Sequence, residues 1–295
     1  MANNTDTTLF LQSSSEVIFL VCFTATQCVV GSIANAVVIG FFLSKRQGSY
    51  KPPDKLILNL AVADFLALIT YVPWRAYLLY LRTKTKHSPY YTSLFVACLF
   101  STGNAVSLMA LTRLFAVIFP LKYRVFFTSK VVNCLIALSW MIAILLGIGH
   151  RVSWRDIGNF HLKYEFFLSC ISFFQLVAIL SVYAMILKSA KKAHSLFKQR
   201  SFKISWTTYV IVLFCYATFL PYTVYRFVSN SDKSLTNDQK QETWRWIIAF
   251  SFLNSCFNPF LYLITTAKFK QELRRFVSNA NRHSERTTRV VDERV

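Results

Sequence analysis

The side chain best suited to chemistry within the long apolar stretches is Asp64, which stands in "LILNLAVADFLAL". An ionisable group inside a membrane is expensive and is a functional candidate by default, although a hydrogen-bonded structural aspartate is the simpler interpretation. Other apolar stretches carry neutral groups that could converge on it: Asn35, Thr102, Asn254, Ser255 and Asn258. A carboxylate with neutral oxygens suits a small hard cation. We therefore predict a polar site in which Asp64, Thr102, Asn254 and Asn258 hold sodium, or in which Asp64 is a protonation switch.

A second candidate is Arg113, a cation beside a long apolar run in "SLMALTRLFAVIFPLKYR". Moving an isolated charge out of water is costly, and neither neighbour of this arginine in the chain is acidic. Its side chain could simply reach the membrane surface from a helix end. The alternative is a functional role at that end, which depends on the elements around it.

No residue pattern typical of an enzyme is present in the sequence. We find no Ser-His-Asp set in register, no metal cluster and no phosphate-binding loop. The 7 cysteines lie inside apolar stretches without a CxxC pair, and we interpret them as small hydrophobic residues. We predict no enzymatic activity, and no cofactor apart from the sodium ion.

The composition indicates that lipid is the main solvent of this chain. Its 295 residues are 54% hydrophobic and only 16% charged, whereas about a quarter of a soluble domain is charged. With roughly 20 apolar residues per span, there is room for about seven spans. The net charge of +20 could indicate nucleic-acid binding, but no binding module is recognisable, so no nucleic-acid partner is predicted.

Seven apolar segments are predicted to cross the membrane: 17–43, 56–81, 91–119, 129–150, 164–190, 201–229 and 242–264. The fold class is therefore an all-α membrane protein, a seven-transmembrane helix bundle with a short amphipathic eighth helix on the membrane surface. The predicted domains are an N-terminal tail at 1–16, the bundle at 17–264, the amphipathic helix at 265–277 and a disordered tail at 278–295.

The distribution of basic residues predicts the orientation. Most of the 33 Lys and Arg residues lie in the odd-numbered loops and in the C-terminal tail. Because cytoplasmic loops carry the excess of positive charge, the N-terminus is predicted to be extracellular and the C-terminus cytoplasmic. An extracellular N-terminus would make Asn3, in the sequon Asn3-Asn4-Thr5, a candidate glycosylation site.

The chain resembles the rhodopsin-like (class A) G-protein-coupled receptors over nearly its whole length. The motifs that carry the resemblance stand in the family's order: Asn35, "LNLAVAD" ending at Asp64, "TRLFAVIFPLKY" around Arg113, Trp140, Tyr183, "TFLP" ending at Pro221, "NPFLY" from Asn258 to Tyr262, and "KFKQEL". The resemblance implies a plasma-membrane receptor that binds an extracellular ligand and activates a heterotrimeric G protein by rearranging helices three, five, six and seven.

The resemblance also assigns roles to residues. It implies that Arg113 contacts the G protein when helix six swings out, and that Tyr183 and Tyr262 move in to meet it. Pro221 and Pro259 each remove a backbone donor within a helix and are predicted hinges. The residues it assigns to activation and coupling are Arg113, Thr112, Pro120, Leu121, Tyr123, Tyr183, Tyr262, Phe219, Pro221, Asn258 and Pro259.

Several positions depart from the family pattern. Thr112 stands where an acid usually restrains the following arginine, and a hydroxyl offers only a weaker neutral hydrogen bond. We therefore expect a loosened inactive state with raised basal signalling. Phe219 replaces the usual tryptophan of helix six, and Gln175 replaces the usual proline of helix five. Ser88 replaces the cysteine that ties helix three to the second extracellular loop in most members.

The predicted ligand pocket combines cations with aromatic side chains at the outer mouth: Arg75, His150, Arg226 and Arg245 with Phe95, Tyr222 and Trp246. These cations could simply snorkel to the interface. If they converge, they favour a carboxylate or phosphate. An acidic lipid, a nucleotide-like anion and a peptide all remain open.

The expected partners are a heterotrimeric G protein, arrestin, the lipid bilayer and an unknown small-molecule or peptide ligand. One alternative is an atypical, arrestin-biased or scavenger receptor, which Thr112 favours and the intact Arg113 disfavours. A transporter is a further alternative, but Asp64 alone does not make a translocation path.

Overall fold

The computed structural model describes residues 14–44, 51–81, 89–155, 160–191, 210, 213–225, 228, 237–265, 271 and 275, and none of these lies in a strand. The described helices, in chain order, are α1 (Ser14–Leu43), α2 (Pro52–Tyr80), α3 (Pro89–Ile118), α4 (Pro120–Phe126), α5 (Ser129–Ser153), α6 (Phe160–Lys191), α7 (213–225), α8 (Asn237–Ser251) and α9 (Leu253–Thr265).

Five of the described helices, α1, α2, α3, α5 and α6, are long and apolar enough to cross a bilayer. They coincide with the first five predicted spans to within a few residues. The predicted sixth span contains α7. The predicted seventh span is divided at Phe252 into α8 and α9. The predicted amphipathic helix and the tail lie outside the described residues, apart from residues 265, 271 and 275, so these boundaries stay predictions.

A short helix, α4, follows α3 where the sequence analysis placed only a loop. It begins at Pro120, a favourable first position because proline has no N–H to leave unpaired there and its φ already suits a helix. Tyr123 stacks on Phe127 with ring centroids 5.3 Å apart, which holds α4 against the connection to α5. Thr128 then caps α5 by accepting a hydrogen bond from the Val131 N–H.

Two apolar clusters form most of the interior. The larger one joins α1, α2, α3, α5, α6 and α7, and it includes Phe42, Leu60 and Tyr183. The second joins α2, α3, α7, α8 and α9 around Tyr71, Phe95 and Phe252. The buried Asp64 lies within this bundle, so its position is set by packing of apolar neighbours as well as by its own hydrogen bonds.

Helix α1 approaches its neighbours most closely at Gly31. A Cβ atom at this position would lie 2.8 Å from Cys256 Sγ and 2.8 Å from a Leu68 methyl group. One turn further along α1, Asn35 donates a hydrogen bond to the Ser255 carbonyl oxygen. The absence of a side chain at Gly31 thus lets α1 come close enough for Asn35 to reach α9.

We expect Gly31→Ala to lower the free energy of unfolding by about 1–3 kcal/mol, because overpacking forces neighbouring atoms apart. Gly40→Ala is the matched control, since nothing lies within 4 Å of a Cβ atom at that position, and alanine favours a helix. Thermal unfolding of both variants in one detergent makes the comparison. Equal melting temperatures would contradict the close approach.

Candidate functional site

Asp64 accepts hydrogen bonds from two other helices and is completely buried. Thr102 Oγ1 donates to Asp64 Oδ1 at 3.1 Å, and Ser255 Oγ donates to the same oxygen at 2.8 Å. Asn258 Nδ2 donates to Oδ2 at 2.7 Å. The carboxylate therefore joins α2 to α3 and α9, and all these donors were candidates from the sequence.

The predicted partner Asn254 makes a different contact. Its Oδ1 accepts from Cys215 Sγ at 2.8 Å, so it links α9 to α7. Its Nδ2 and the Oδ1 of Asn258 are buried without a hydrogen-bond partner among the described residues. The oxygens of Asp64, Thr102, Ser255 and Asn258 form a donor set of the type that a small hard cation uses.

Asn35 supplies a hydrogen bond that Pro259 cannot make. Proline has no N–H, so Pro259 cannot supply the hydrogen bond that the Ser255 carbonyl, four residues earlier in α9, would otherwise accept. Asn35 Nδ2 donates to that carbonyl at 2.9 Å. Because the Ser255 hydroxyl binds Asp64, Ser255 connects the polar site to α1.

A second polar network, which sequence analysis missed, joins α3 to α6 and α5. Gln175 Nε2 donates to Asn104 Oδ1 and to Ser107 Oγ, both at 3.1 Å. Asn104 Nδ2 in turn donates to the Ser139 carbonyl oxygen. The sequence did contain a sign of this network, since two predicted spans each carry a side-chain amide, Asn104 and Gln175. A buried amide needs a hydrogen-bond partner. Gln175 therefore replaces the family's usual proline with an interhelical contact.

A small cavity of about 50 Å³ lies beside this network, between α3, α6 and α7. This volume accommodates a few water molecules. Two predicted site residues, Phe219 and Tyr222, line it together with Gln175.

An aromatic cluster lies next to the cavity. Phe95 stacks on Tyr71 with ring centroids 4.4 Å apart, and it lies 6.2 Å from Tyr222. Phe252 also packs against Phe95, at 5.7 Å, and Trp244 lies 5.3 Å from Tyr222. Phe95 and Tyr222, both candidates from the sequence, thus lie together in this cluster, while the positions of Tyr71 and Trp244 in it were not foreseen.

Trp246 does not join this aromatic cluster. Its side chain is 40% exposed and lies against Phe19 of α1, with ring centroids 5.7 Å apart. It therefore occupies the outside of the bundle, where amphipathic aromatic rings commonly meet the membrane interface.

The predicted cations occupy different environments. Arg75 and Arg245 are both buried, with 6% of each residue exposed. Each adjoins in the chain a tryptophan, Trp74 or Trp244, that packs against the aromatic cluster. His150, unlike them, has a described acidic partner, because its Nε2 lies 2.8 Å from Glu165 Oε1. The fourth cation, Arg226, lies outside the described residues.

At the opposite end of α3, Arg113 is surrounded by groups from several elements. Tyr123 of α4, Tyr183 of α6 and Asp54 of α2 are near its guanidinium group. Among the described residues, no carboxylate lies within salt-bridge distance of it. Burial raises the pKa of the Tyr123 phenol, and the positive charge of Arg113 partly offsets this shift.

The Thr112 hydroxyl group makes no described hydrogen bond to Arg113. Its Oγ1 donates to the Met109 carbonyl oxygen of its own helix at 2.9 Å. The side chain that replaces the usual acid is therefore turned back into α3.

The remaining residues that the sequence analysis singled out lie on α4, on α7 or outside the described part of the structure. Leu121 is 85% exposed on α4, Pro120 begins that helix, and Pro221 lies within α7. The side chain of Tyr262 lies outside the described part of the structure. The candidate glycosylation site, Asn3, does so as well.

Comparison with known proteins places these features in context. The sequence model of the family described as "7 transmembrane receptor (rhodopsin family)" matches residues 34–262. The chain is 25% identical over 281 residues to somatostatin receptor type 5 of Rattus norvegicus, covering 84% of this chain and 74% of that receptor. It is 24% identical over 277 residues to melanin-concentrating hormone receptor 1 of Sus scrofa, covering 84% and 78%. A shorter match, 25% over 141 residues, covers 45% of this chain and 37% of the G-protein coupled receptor homolog US27 of human cytomegalovirus strain AD169.

We expect Asp64→Ala to lower the thermal stability of the purified protein strongly. The substitution leaves three buried donors without an acceptor, and each unsatisfied group lowers the free energy of unfolding by about 1–3 kcal/mol. Asp64→Asn should cost less, because its Oδ1 can still accept from Thr102 and Ser255. Thermal unfolding of both variants tests this difference, and an equal fall in melting temperature for Asp64→Ala and Asp64→Asn would contradict it.

Proposed function

Because this chain belongs to the rhodopsin family of seven-transmembrane receptors, we propose that it binds an extracellular ligand with an anionic group and signals to a heterotrimeric G protein. The members of this family are receptors and not enzymes. Family membership confirms the seven-transmembrane helix bundle and implies a multi-pass membrane setting with ligand and G-protein partners.

The observation that carries the ligand proposal is the buried guanidinium of Arg75. Its Nε has no hydrogen-bond partner among the described residues, and no described acid lies within ion-pair distance of it. A buried cation without a counter-ion is destabilising. A carboxylate or phosphate of a ligand would neutralise it through the bidentate geometry that arginine favours.

The aromatic cluster supplies the apolar part of the proposed binding site. A ligand that contacts Arg75 would lie close to Tyr71, which is one turn earlier in α2, and Trp74 lies 6.0 Å from Tyr71. Tyr71 in turn stacks on Phe95 and on Phe252. This combination suits an amphipathic molecule with an acidic end, such as an acidic lipid, a nucleotide-like anion or a peptide. Two relatives are named as receptors for somatostatin and for melanin-concentrating hormone, which favours a hormone-like ligand.

Transmission to the opposite end would pass through α7. Phe219 and Tyr222 line the cavity on this helix, and Pro221 between them removes one backbone hydrogen bond and so permits bending. Movement of α7 would open the end of the bundle where Arg113 and Tyr183 lie, with Tyr262 following from α9. Arg113 would then meet the G protein beside Pro120, Leu121 and Tyr123.

Sodium is the proposed allosteric ion of the polar site around Asp64. The donor set of Asp64, Thr102, Ser255 and Asn258 supports it. Asn254 enters this proposal only as a link to α7, because its Oδ1 is engaged by Cys215. We further propose a plasma-membrane location with the N-terminus extracellular and Asn3 glycosylated, and regulation by arrestin.

Raised basal signalling is the proposed consequence of Thr112. Its hydroxyl donates within α3, so Arg113 lacks the charge-assisted restraint that an adjacent acid would provide. The same observation favours a second candidate function, an arrestin-biased or scavenger receptor. Ligand-free reporter assays across the G-protein classes and arrestin separate the two. Silence in every G-protein assay with constitutive arrestin recruitment would favour the scavenger.

We expect Thr112→Asp to lower ligand-free G-protein signalling about tenfold, because a charge-assisted hydrogen bond of about 1.5 kcal/mol would hold Arg113 in the inactive state. Thr112→Asn, of similar shape but neutral, is the matched control and should change the signal little. Arg113→Ala defines the uncoupled background. Equal signals from wild type and Thr112→Asp, at equal surface expression, would contradict the loosened restraint.

We expect Arg75→Met to stabilise the ligand-free receptor by about 1 kcal/mol or more, because it removes a buried cation that has no described acid within ion-pair distance. Responses to a panel of fatty acids, nucleotides and acidic peptides should be lost in the same variant. Arg155→Met, at an exposed position, is the matched control. A lower melting temperature for Arg75→Met would instead assign Arg75 a structural role.

A further inference from the structure

A cluster of His150, His161 and Glu165 lies where the end of α5 meets the start of α6. Each side chain offers one ligand atom, and these atoms all lie within 4.8 Å of one another. We infer that this cluster is a zinc site that joins α5 to α6, on the face that the distribution of basic residues predicts to be extracellular. The sequence analysis, which saw no metal cluster, missed it.

The distances suit a metal ion with short bonds. His150 Nε2 lies 2.8 Å from Glu165 Oε1, and His161 Nε2 lies 3.8 Å from the same oxygen. Ligand atoms of a tetrahedral zinc ion with bonds of about 2.1 Å are about 3.4 Å apart. The two observed distances lie on either side of this value, and the third pair of ligand atoms, from His150 and His161, lies within 4.8 Å. Rotation of the side chains would bring the three atoms around one ion.

Each histidine also has a hydroxyl group beside its other ring nitrogen. Ser93 Oγ lies 3.0 Å from His150 Nδ1, and Ser153 Oγ lies 3.1 Å from His161 Nδ1. A hydroxyl group in this position orients the histidine ring and selects the nitrogen that binds the metal.

The tautomer of His161 follows from the contacts of Ser153. The Ser153 hydroxyl donates its hydrogen to the His150 carbonyl oxygen at 2.7 Å. Its oxygen is therefore an acceptor toward His161 Nδ1, which must carry the ring hydrogen. In the neutral ring, this makes Nε2 the nitrogen that can bind zinc.

The cluster is shielded but accessible. His150 and Glu165 are buried, while the His161 side chain is 25% exposed and provides a route for an ion. The Trp154 ring lies 4.2 Å from the His161 ring and covers part of the site. Since the cluster sits on two helices, its members are held on rigid elements as a metal site requires.

The ligand types identify the class of metal. Two imidazoles and one carboxylate, with a fourth position open to water, are a common zinc set. Calcium requires six to eight oxygen ligands, and magnesium requires octahedral oxygen coordination, so neither fits. On binding, zinc would replace the proton between His150 Nε2 and Glu165 Oε1, and that proton would pass to solvent. The neutral His150 ring would then carry its one ring hydrogen on Nδ1, which lies 3.0 Å from Ser93 Oγ. The site is independent of the Arg75 ligand proposal.

The test is a titration of the purified full-length protein in nanodiscs with zinc chloride, followed by calorimetry and by thermal unfolding. We expect one site and a zinc-dependent rise in melting temperature, with no rise for calcium or magnesium chloride. His161→Ala should weaken zinc binding about 100-fold, because loss of a metal ligand costs at least as much as loss of a group that hydrogen-bonds to a ligand. His283→Ala, which removes a histidine far along the chain, is the matched control and should bind as wild type does.

Zinc-independent melting of the wild type, or equal zinc affinities for wild type and His161→Ala, would overturn the proposal. Ser153→Ala gives a second measurement that leaves all three ligands in place. It should weaken binding about tenfold by releasing His161 Nδ1, and an unchanged affinity would also overturn the assigned geometry.

Discussion

The burial of the Asp64 carboxylate is the constraint on which the arrangement of the helices depends. A charged or polar group in the interior of a membrane bundle must find partners within the protein, because lipid offers none. Asp64 finds them on α3 and α9, through Thr102, Ser255 and Asn258. These contacts restrict both the rotation and the height of the three helices. Any movement of α9 must therefore break or exchange hydrogen bonds at this carboxylate, so the polar site is well placed to couple the two ends of the bundle.

The same physical requirement extends to α1 and α7. Pro259 deprives the Ser255 carbonyl of its helical donor, and Asn35 replaces that donor from α1. The approach depends on Gly31, where any side chain would meet Cys256. Asn254 connects α9 to Cys215 of α7. A helix weakened by proline is thereby held by side chains from its neighbours, which combines local flexibility with defined packing.

Each end of the bundle holds an arginine without a described ion-pair partner. Arg75 lies near the end of α2, close to the aromatic cluster, and Arg113 lies near the end of α3 at the opposite side of the bundle. Neither arginine has a described carboxylate at salt-bridge distance. Charges of this kind stabilise poorly when alone and strongly when a partner arrives. An anionic ligand and a G protein are the partners that the family setting provides. The histidine cluster differs in kind, because Glu165 already engages His150.

The sequence by itself determined the membrane spans, the family and the set of polar residues inside the spans, because lipid penalises charge and unpaired backbone wherever the chain folds. Tertiary structure decided which of those residues meet. Asn254 and Asn258 are both amides of α9, yet only Asn258 reaches Asp64. Trp244 and Trp246 are two positions apart, and such positions point to opposite sides of a helix with 3.6 residues per turn. Only the rotation of α8 could place Trp244 against Tyr222 and Trp246 against Phe19. Likewise, His150 became a partner of Glu165 because α5 and α6 end and begin side by side, a contact that no spacing along the chain encodes.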